Sequence, residues 1–555
     1  MSIAADRIGA TSGGARGPSP LRNVTESLIL LAVAVVLFRG FGLEGYLIST
    51  GSMAPTLLGF HHRVTCPNCR ELIVTSATVS PSTADHRLAG DVVDLGSLAP
   101  SGMECPYCGE PCGSPEQLPR TEGDQLLVHK HAFEFRDPRR WEVIVFRNPE
   151  DPSQAYVKRV VGLPRESLEI RDGEVWTDGQ LRRKPLKSQY GMRIPVHRYE
   201  SHLGTSTSAP APPERWQPIN EDSNWWLGSN TLTFEADDVD ALSGPRTDWV
   251  EYAHRVAQGG RHRSSVALAE PAPDSLPVRD GIPGEPFVEE DRLVCVGVLN
   301  EDVLSRWEKM GASNQFLASL AELAKESQLA SIDDVYDYNT GLPLESRPVD
   351  DLMLSLTLHD LHGEGRFEMQ LTDGDVIARL VVDCLHRRLS LLLDSDPVPV
   401  REMTLSEEQL SEPLQLDLSL FDDQVLVGVN GREAFAAVKH ETRPGTNPLR
   451  RPARIGAAGV SCEVSDLTLF RDVYYTPREE HENPTNIGSE AFFVLGDNSP
   501  VSIDSRVWEA PQVPRAFLIG KPLVVHLPST TKRVRWGGQE RSIRMPEFSR
   551  ARVIR

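Results

Sequence analysis

The apolar pattern divides the chain into unlike parts. From Val24 to Phe38 every position is apolar except Thr25, Glu26 and Ser27. A membrane helix takes about 20 residues. Residues 23–43 reach that length when Glu26 and Arg39 extend towards the two interfaces. Arg7, Arg16 and Arg22 precede the run, so the positive-inside rule puts residues 1–22, a flexible tail, in the cytoplasm. A cleaved signal peptide has an equally short apolar region, but Arg39–Ile48 holds no clean small-x-small site, and an uncleaved anchor over 23–43 is expected. Further on, the stretches 123–130, 141–146 and 155–162 are rich in β-branched and aromatic residues and bounded by Asp, Pro and Gly, which predicts strands. Residues 168–176 predict a hairpin turning at Asp172-Gly173. Residues 186–345 show little periodicity apart from a helical pattern from Asp302 to Leu329. From 346 to 474 strand follows strand, among them 352–358, 366–371, 376–382, 414–420 and 424–431, as in a β-sandwich.

Composition sharpens this picture in two respects. Forty-two glycines and 42 prolines in 555 residues favour turns and β structure over helix, and the length implies several domains. A net charge of −21 excludes a nucleic-acid partner, since phosphate contacts need Lys and Arg. The acidity is uneven: from Lys532 to Arg555 there are 8 Lys/Arg against 2 Glu. That basic tail (531–555) reads as a solvated end or as a contact for anionic lipid.

Three stretches carry candidate chemistry. The first is Ser49-Thr50-Gly51-Ser52-Met53-Ala54-Pro55, where Gly51 permits close backbone approach and Pro55 disfavours a helical Ala54; it predicts a hydroxyl on a stiff extended segment. At most about 45 Å of chain separates it from Arg39, so Ser52 is expected near the membrane surface. The second is Ala155–Gly162, where strand alternation puts Tyr156, Lys158 and Val160 on one face and Val157, Arg159 and Val161 on the other. A lysine among apolar neighbours has its charged form disfavoured. The third is Gly496-Asp497-Asn498, followed by Ser502, Asp504, Ser505 and Arg506. Between the first two lies a cysteine island (60–122). Cys66-x-x-Cys69 and Cys105-x-x-Cys108 can aim four thiolates at one zinc, with Cys112 to spare; paired disulfides are the alternative outside the cytoplasm.

Taken in this order, the serine stretch, Tyr156-Val-Lys-Arg-Val-Val-Gly-Leu-Pro164 and the Gly496-Asp-Asn stretch resemble the type I signal peptidases, membrane-anchored Ser/Lys endopeptidases. The resemblance covers about 130 residues, within 43–58, 123–180 and 475–527. It implies Ser52 as nucleophile and Lys158 as general base. It implies an oxyanion hole from the Thr50 hydroxyl and the Ser52 N–H, and Ser502 as the residue that orients Lys158. Asp504 with Arg506, and Asp497 with Arg159, become ion pairs bracing the site around Gly496. No cofactor is implied for catalysis. The implied substrates are exported precursors with small residues at the first and third positions before the cut, met at the cytoplasmic membrane by a single-pass enzyme whose catalytic part faces outwards. The chain departs from the family in having Thr50 for serine, Arg165 where glycine is usual, and Ser499-Pro500 after Gly-Asp-Asn.

The expected fold is mainly β: a peptidase core from 44–59, 123–185 and 475–530, interrupted by the zinc-ribbon-like island, an irregular insert (186–345) and a sandwich insert (346–474). Leu414 to Gly431 of that sandwich resembles concanavalin-like strand pairs. An alternative function is an inactive membrane-anchored binding protein that uses its inserts to hold a partner.

Overall fold

A computed structural model describes residues 20–67, 72–77, 105, 112–113, 117–199, 214–236, 246–255, 263–268, 271, 273, 276, 282–300, 302–334, 337–339, 345–440, 449–477, 484–536 and 539–554. The chain is mainly β. Helix α1 (Pro20–Phe41) covers most of the expected anchor, and its described side chains from Val24 to Val35 are all exposed. Among the described residues no helix is long and apolar enough to cross a membrane.

The site is carried by an antiparallel sheet. Its strands in order are β1 (Leu43–Leu47), β4 (Gln125–His129), Leu518–Val525, β5 (Val143–Arg147), β6 (Ala155–Gly162), Ala491–Leu495 and Val513–Pro514. The intervening pair β2 (His61–Thr65) and β3 (Leu72–Ser76) forms a separate hairpin. Alternation fixes the two sides of the sheet: Val143 and Val145 enter one core with Met53 and Leu57, while Ile144 and Phe146 enter another with Val160 and Trp508. Next comes the hairpin of β7 (Ser167–Arg171) and β8 (Glu174–Thr177). It turns where expected, with Asp172 at φ 50° and Gly173 at φ 88°, the left-handed pair that a two-residue hairpin turn requires.

The second large unit is a 14-stranded assembly with one apolar core, in which the long strands Leu352–Thr372 and Ala453–Arg471 pair with each other. It reaches well outside 346–474. Ile194–Arg198, Trp216–Pro218, Trp225–Leu227, Thr231–Phe234 and Asp248–Tyr252 join it, and Trp216 and Trp225 fill its core. These strands are three to five residues long, too short for alternation to stand out from the surrounding sequence. The expected single helix after Asp302 is two, Asp302–Lys309 and Asn314–Ser327. Gly311 at φ 78° ends the first, and Ser313 caps the second by accepting from Phe316 N–H at 3.1 Å.

A buried polar knot ties the assembly to the β7–β8 hairpin. The Lys184 ammonium meets Asp422, Asp472 (2.8 Å) and, from β8, Glu174 (3.8 Å). Burial and the neighbouring carboxylates Asp422 and Asp472 push Asp351 up to about 8, and burial pushes Asp472 up to about 6. Towards the C-terminus, Ser529–Trp536 and Gln539–Pro546 form a hairpin. Two arginines of the expected basic tail turn back on the core, where Arg550 and Arg552 each donate to Asp124 at 3.1 Å.

Candidate active site

The three candidate stretches meet. Lys158, on β6 opposite Ile144, is 2% exposed. Its Nζ donates to Ser502 Oγ at 2.9 Å and lies 6.0 Å from the centre of the Tyr156 ring. Tyr156, Phe146 and Trp508 stack edge-on or tilted against one another to form the wall on that side. Burial in this wall lowers the amine to about 8, against the opposing pull of Asp504. Tyr156 and Val160 do share a face, as the alternation predicts.

Ser52 reaches the same place through its backbone. A Cβ at Gly496 would collide with both the Ser52 carbonyl oxygen and Ser502 Oγ, so only glycine lets these two stretches touch. Asn498 N–H donates to the Ser52 carbonyl at 3.1 Å, and Asn498 Nδ2 donates to the Gly51 carbonyl at 3.0 Å. The serine stretch is not extended, contrary to expectation. It is a tight turn in which Ala54 N–H donates to Gly51 O and Leu57 N–H to Met53 O, with Met53 and Leu57 pulled into the core beneath. Burial of those apolar side chains outweighs the local preference for extension around Pro55. Thr50 is exposed beside it. Among the described residues no hydrogen bond joins Lys158 to Ser52.

Both expected ion pairs are present and buried. Arg159 grips Asp497 with two parallel bonds of 2.8 and 2.6 Å, and neither side chain is exposed. Its third arm donates to the Trp141 carbonyl at 2.8 Å. Arg506 grips Asp504 at 2.9 and 2.7 Å, and Asp504 also accepts from Gly496 N–H at 2.9 Å. Burial raises the Asp504 carboxyl, but Arg506 and these hydrogen bonds prevail and hold it below its ordinary value. Charge-assisted forks of this kind fix geometry as well as energy. Arg165 adopts φ 72°, a left-handed conformation that glycine takes more readily than arginine.

Sequence reasoning assigned no role to Asn498 and passed over Tyr338 and Asn339, which lie against the serine turn. Asn498 stands inside the Gly-Asp-Asn motif, and that was the available signal. Of the cysteines, Cys66, Cys105 and Cys112 are buried in one small cluster with Ile73; Cys69 and Cys108 lie outside the described residues.

The site thus holds a buried amine of lowered basicity hydrogen-bonded to one serine, Ser502, with the backbone of a second, Ser52, packed against Gly496. Residues 116–233 match the family model "Signal peptidase, peptidase S26"; the match includes Lys158 and Arg159. The chain is 38% identical over 92 residues to a probable signal peptidase I-1 of Synechocystis, covering 15% of this chain and 45% of that protein. It is 36% identical over 94 residues to a signal peptidase I of Leptolyngbya laminosa (16% and 44%) and 28% identical over 138 residues to that of Pseudomonas aeruginosa (22% and 49%). The chain thus spans about half the length of these relatives, and the likeness to type I signal peptidases is that of its matched segment. Among solved structures, the carbohydrate-binding module CBM66 from Bacillus subtilis aligns with 21% of this chain and 74% of its own, at 10% identity and TM-score 0.18. The Caenorhabditis elegans galectin LEC-6 does so over 21% and 81%, at 18% identity and TM-score 0.16.

Proposed function

We propose that this chain is a membrane-anchored serine endopeptidase that removes signal peptides from exported precursor proteins. The observation that carries the reading is Lys158: buried, lowered to about 8, hydrogen-bonded to Ser502, and set beside the Gly496 contact with Ser52. Neutral Lys158 takes the Ser52 hydroxyl proton as Oγ attacks the scissile carbonyl. The oxyanion is met by the Ser52 N–H and the Thr50 hydroxyl. Lys158 then passes its proton to the departing amine as the acyl–nitrogen bond breaks; neutral again, it takes a proton from water, which attacks the acyl carbonyl, and returns that proton to Ser52 Oγ as the ester bond breaks. Ser502 keeps Nζ aimed, and the Arg159–Asp497 and Arg506–Asp504 forks hold the walls apart. Small residues at the first and third positions before the cut fit shallow apolar pockets.

Helix α1 carries the anchor in this reading, since the apolar run from Val24 to Phe38 lies within it, and a single pass there leaves the site facing outwards at the lipid surface. Cys66, Cys69, Cys105 and Cys108 would hold a structural zinc, a role favoured by the burial of Cys66 and Cys105 together, and residues 346–474 belong to a concanavalin-like sandwich. Neither takes part in the chemistry.

The test is cleavage of a precursor by purified full-length protein in detergent. Ser52→Ala and Lys158→Ala are each expected to lower turnover by at least ~10³-fold. Near-wild-type cleavage by either variant rejects the dyad. A wild-type protein that cuts no precursor favours the inactive binding protein.

A further inference from the structure

The insert 186–345, several strands of which join the large β assembly, is not a bystander to the serine turn. Among its described residues, Asp337–Asn339 form one short 3₁₀ turn wedged between the β2–β3 hairpin and the turn carrying Ser52. Tyr338 is 3% exposed and packs with Ala54, Leu58 and Val74. Its ring occupies the space a Cβ on Gly51 would need, and its hydroxyl donates to the Phe60 carbonyl at 3.1 Å. Asn339, also 3% exposed, makes a reciprocal amide pair with Asn498: Asn339 Nδ2 donates to Asn498 Oδ1 at 2.8 Å, and Asn498 Nδ2 donates to Asn339 Oδ1 at 2.9 Å. Asn498 is the residue that also holds the Gly51 and Ser52 carbonyls.

We propose that Tyr338 and Asn339 are positioning residues for Ser52. Asn339 sets the amide plane of Asn498, Asn498 sets the Gly51 and Ser52 carbonyls on either side of the Ser52 α-carbon, and Tyr338 closes the other side of Gly51 so that the turn has one conformation. The insert thereby gains control over the nucleophile without touching substrate. This rests on the reading of Ser52 as nucleophile.

Physical reason sets the size of the effect. A buried amide that loses its partner swings to find another, and an ångström of misplacement at a nucleophile costs about 10²-fold. Asn339→Ala is therefore expected to lower kcat about 10- to 100-fold with KM within about twofold. The kcat–pH midpoint should stay near the Lys158 value of about 8, because the lysine's wall is untouched. In an Asn498→Ala background the same change should add less than about twofold, since its route to Ser52 is already cut. Tyr338→Leu keeps an apolar contact with Val74 while uncovering Gly51, and is held to the same kcat, KM and pH criteria should the Asn339 variant unfold at the assay temperature. Trp226→Ala, at an exposed position of the same insert, should leave kcat unchanged. Wild-type kcat in a folded Asn339→Ala or Tyr338→Leu variant overturns the proposal, and so do losses that multiply with Asn498→Ala. Cleavage by Ser52→Ala would instead overturn the assignment of the nucleophile.

Discussion

Lys158 allows a prediction worked from the site itself. With its amine lowered to about 8, about one molecule in eleven carries it neutral at pH 7; an ordinary lysine near 10.4 would supply about 4 in 10⁴. The kcat profile should therefore rise with pH through a midpoint near 8 and level off above about 9. The perturbation is Tyr156→Asp, which replaces the ring whose centre stands 6.0 Å from Nζ with a carboxylate. At about 6 Å and an effective dielectric near 20, a unit charge favours the ammonium by about 2.8 kcal/mol, or about two pKa units. Admitted water pushes the same way. The midpoint should move from near 8 to near 10, with activity at pH 7 down about a hundredfold and recovering as the pH is raised. A second arm reads the same desolvation as stability. The folded pKa lies below the unfolded one, so the unfolded chain binds more protons between about 8 and 10.4, and stability rises with pH across that window. At pH 7 the full cost, about 3 kcal/mol, is present. Lys158→Met should thus raise the unfolding temperature at pH 7 and do so much less at pH 10.5. A flat wild-type profile from pH 6 to 10, or a Tyr156→Asp midpoint that stays near 8, would refute the claim that burial in this wall tunes the base.

Three further outcomes are expected. Gly496→Ala inserts a methyl between Ser52 O and Ser502 Oγ, so precursor turnover should fall at least ~10²-fold while circular dichroism stays native; undiminished turnover would mean the two stretches do not need that contact. Lys184→Met strands Asp422 and Asp472 without their counter-charge and should cost about 3–5 kcal/mol in chemical denaturation near pH 8. The cost should shrink towards pH 5, because acids with raised folded pKa values lose stability as pH rises; an equal cost at both pH values would contradict this. Arg165→Gly relieves a left-handed arginine and should be neutral or stabilising by up to about 1 kcal/mol, read as the urea midpoint.

What could be read from the chain beforehand was local. The faces of β6 followed from strand alternation, because Tyr156, Lys158 and Val160 are two apart. The Asp172-Gly173 turn followed from the backbone needs of a hairpin. The Arg159–Asp497 and Arg506–Asp504 pairs were reached through the motif resemblance, and their geometry suits a guanidinium fork. What escaped was set by long-range packing. The serine stretch turns because Met53 and Leu57 find a core built from β4, β5 and the strand Leu518–Val525, none of which is adjacent in sequence. Tyr338 and Asn339 sit in a single turn with no period to detect, and their partners lie 278 and 159 positions away. The Lys184 knot likewise joins residues about 240 apart.

The hydrogen bond between Lys158 and Ser502 spans 344 positions, and most of the intervening chain is the large β assembly with a core of its own. A ribosome therefore releases Lys158, then that whole assembly, and only later Gly496 and Ser502. Domains generally fold as they emerge, so the half-made polypeptide holds its amine without the serine it hydrogen-bonds and its serine turn without Asn498. Competence arrives late in synthesis, as a check on whether everything in between has already taken shape.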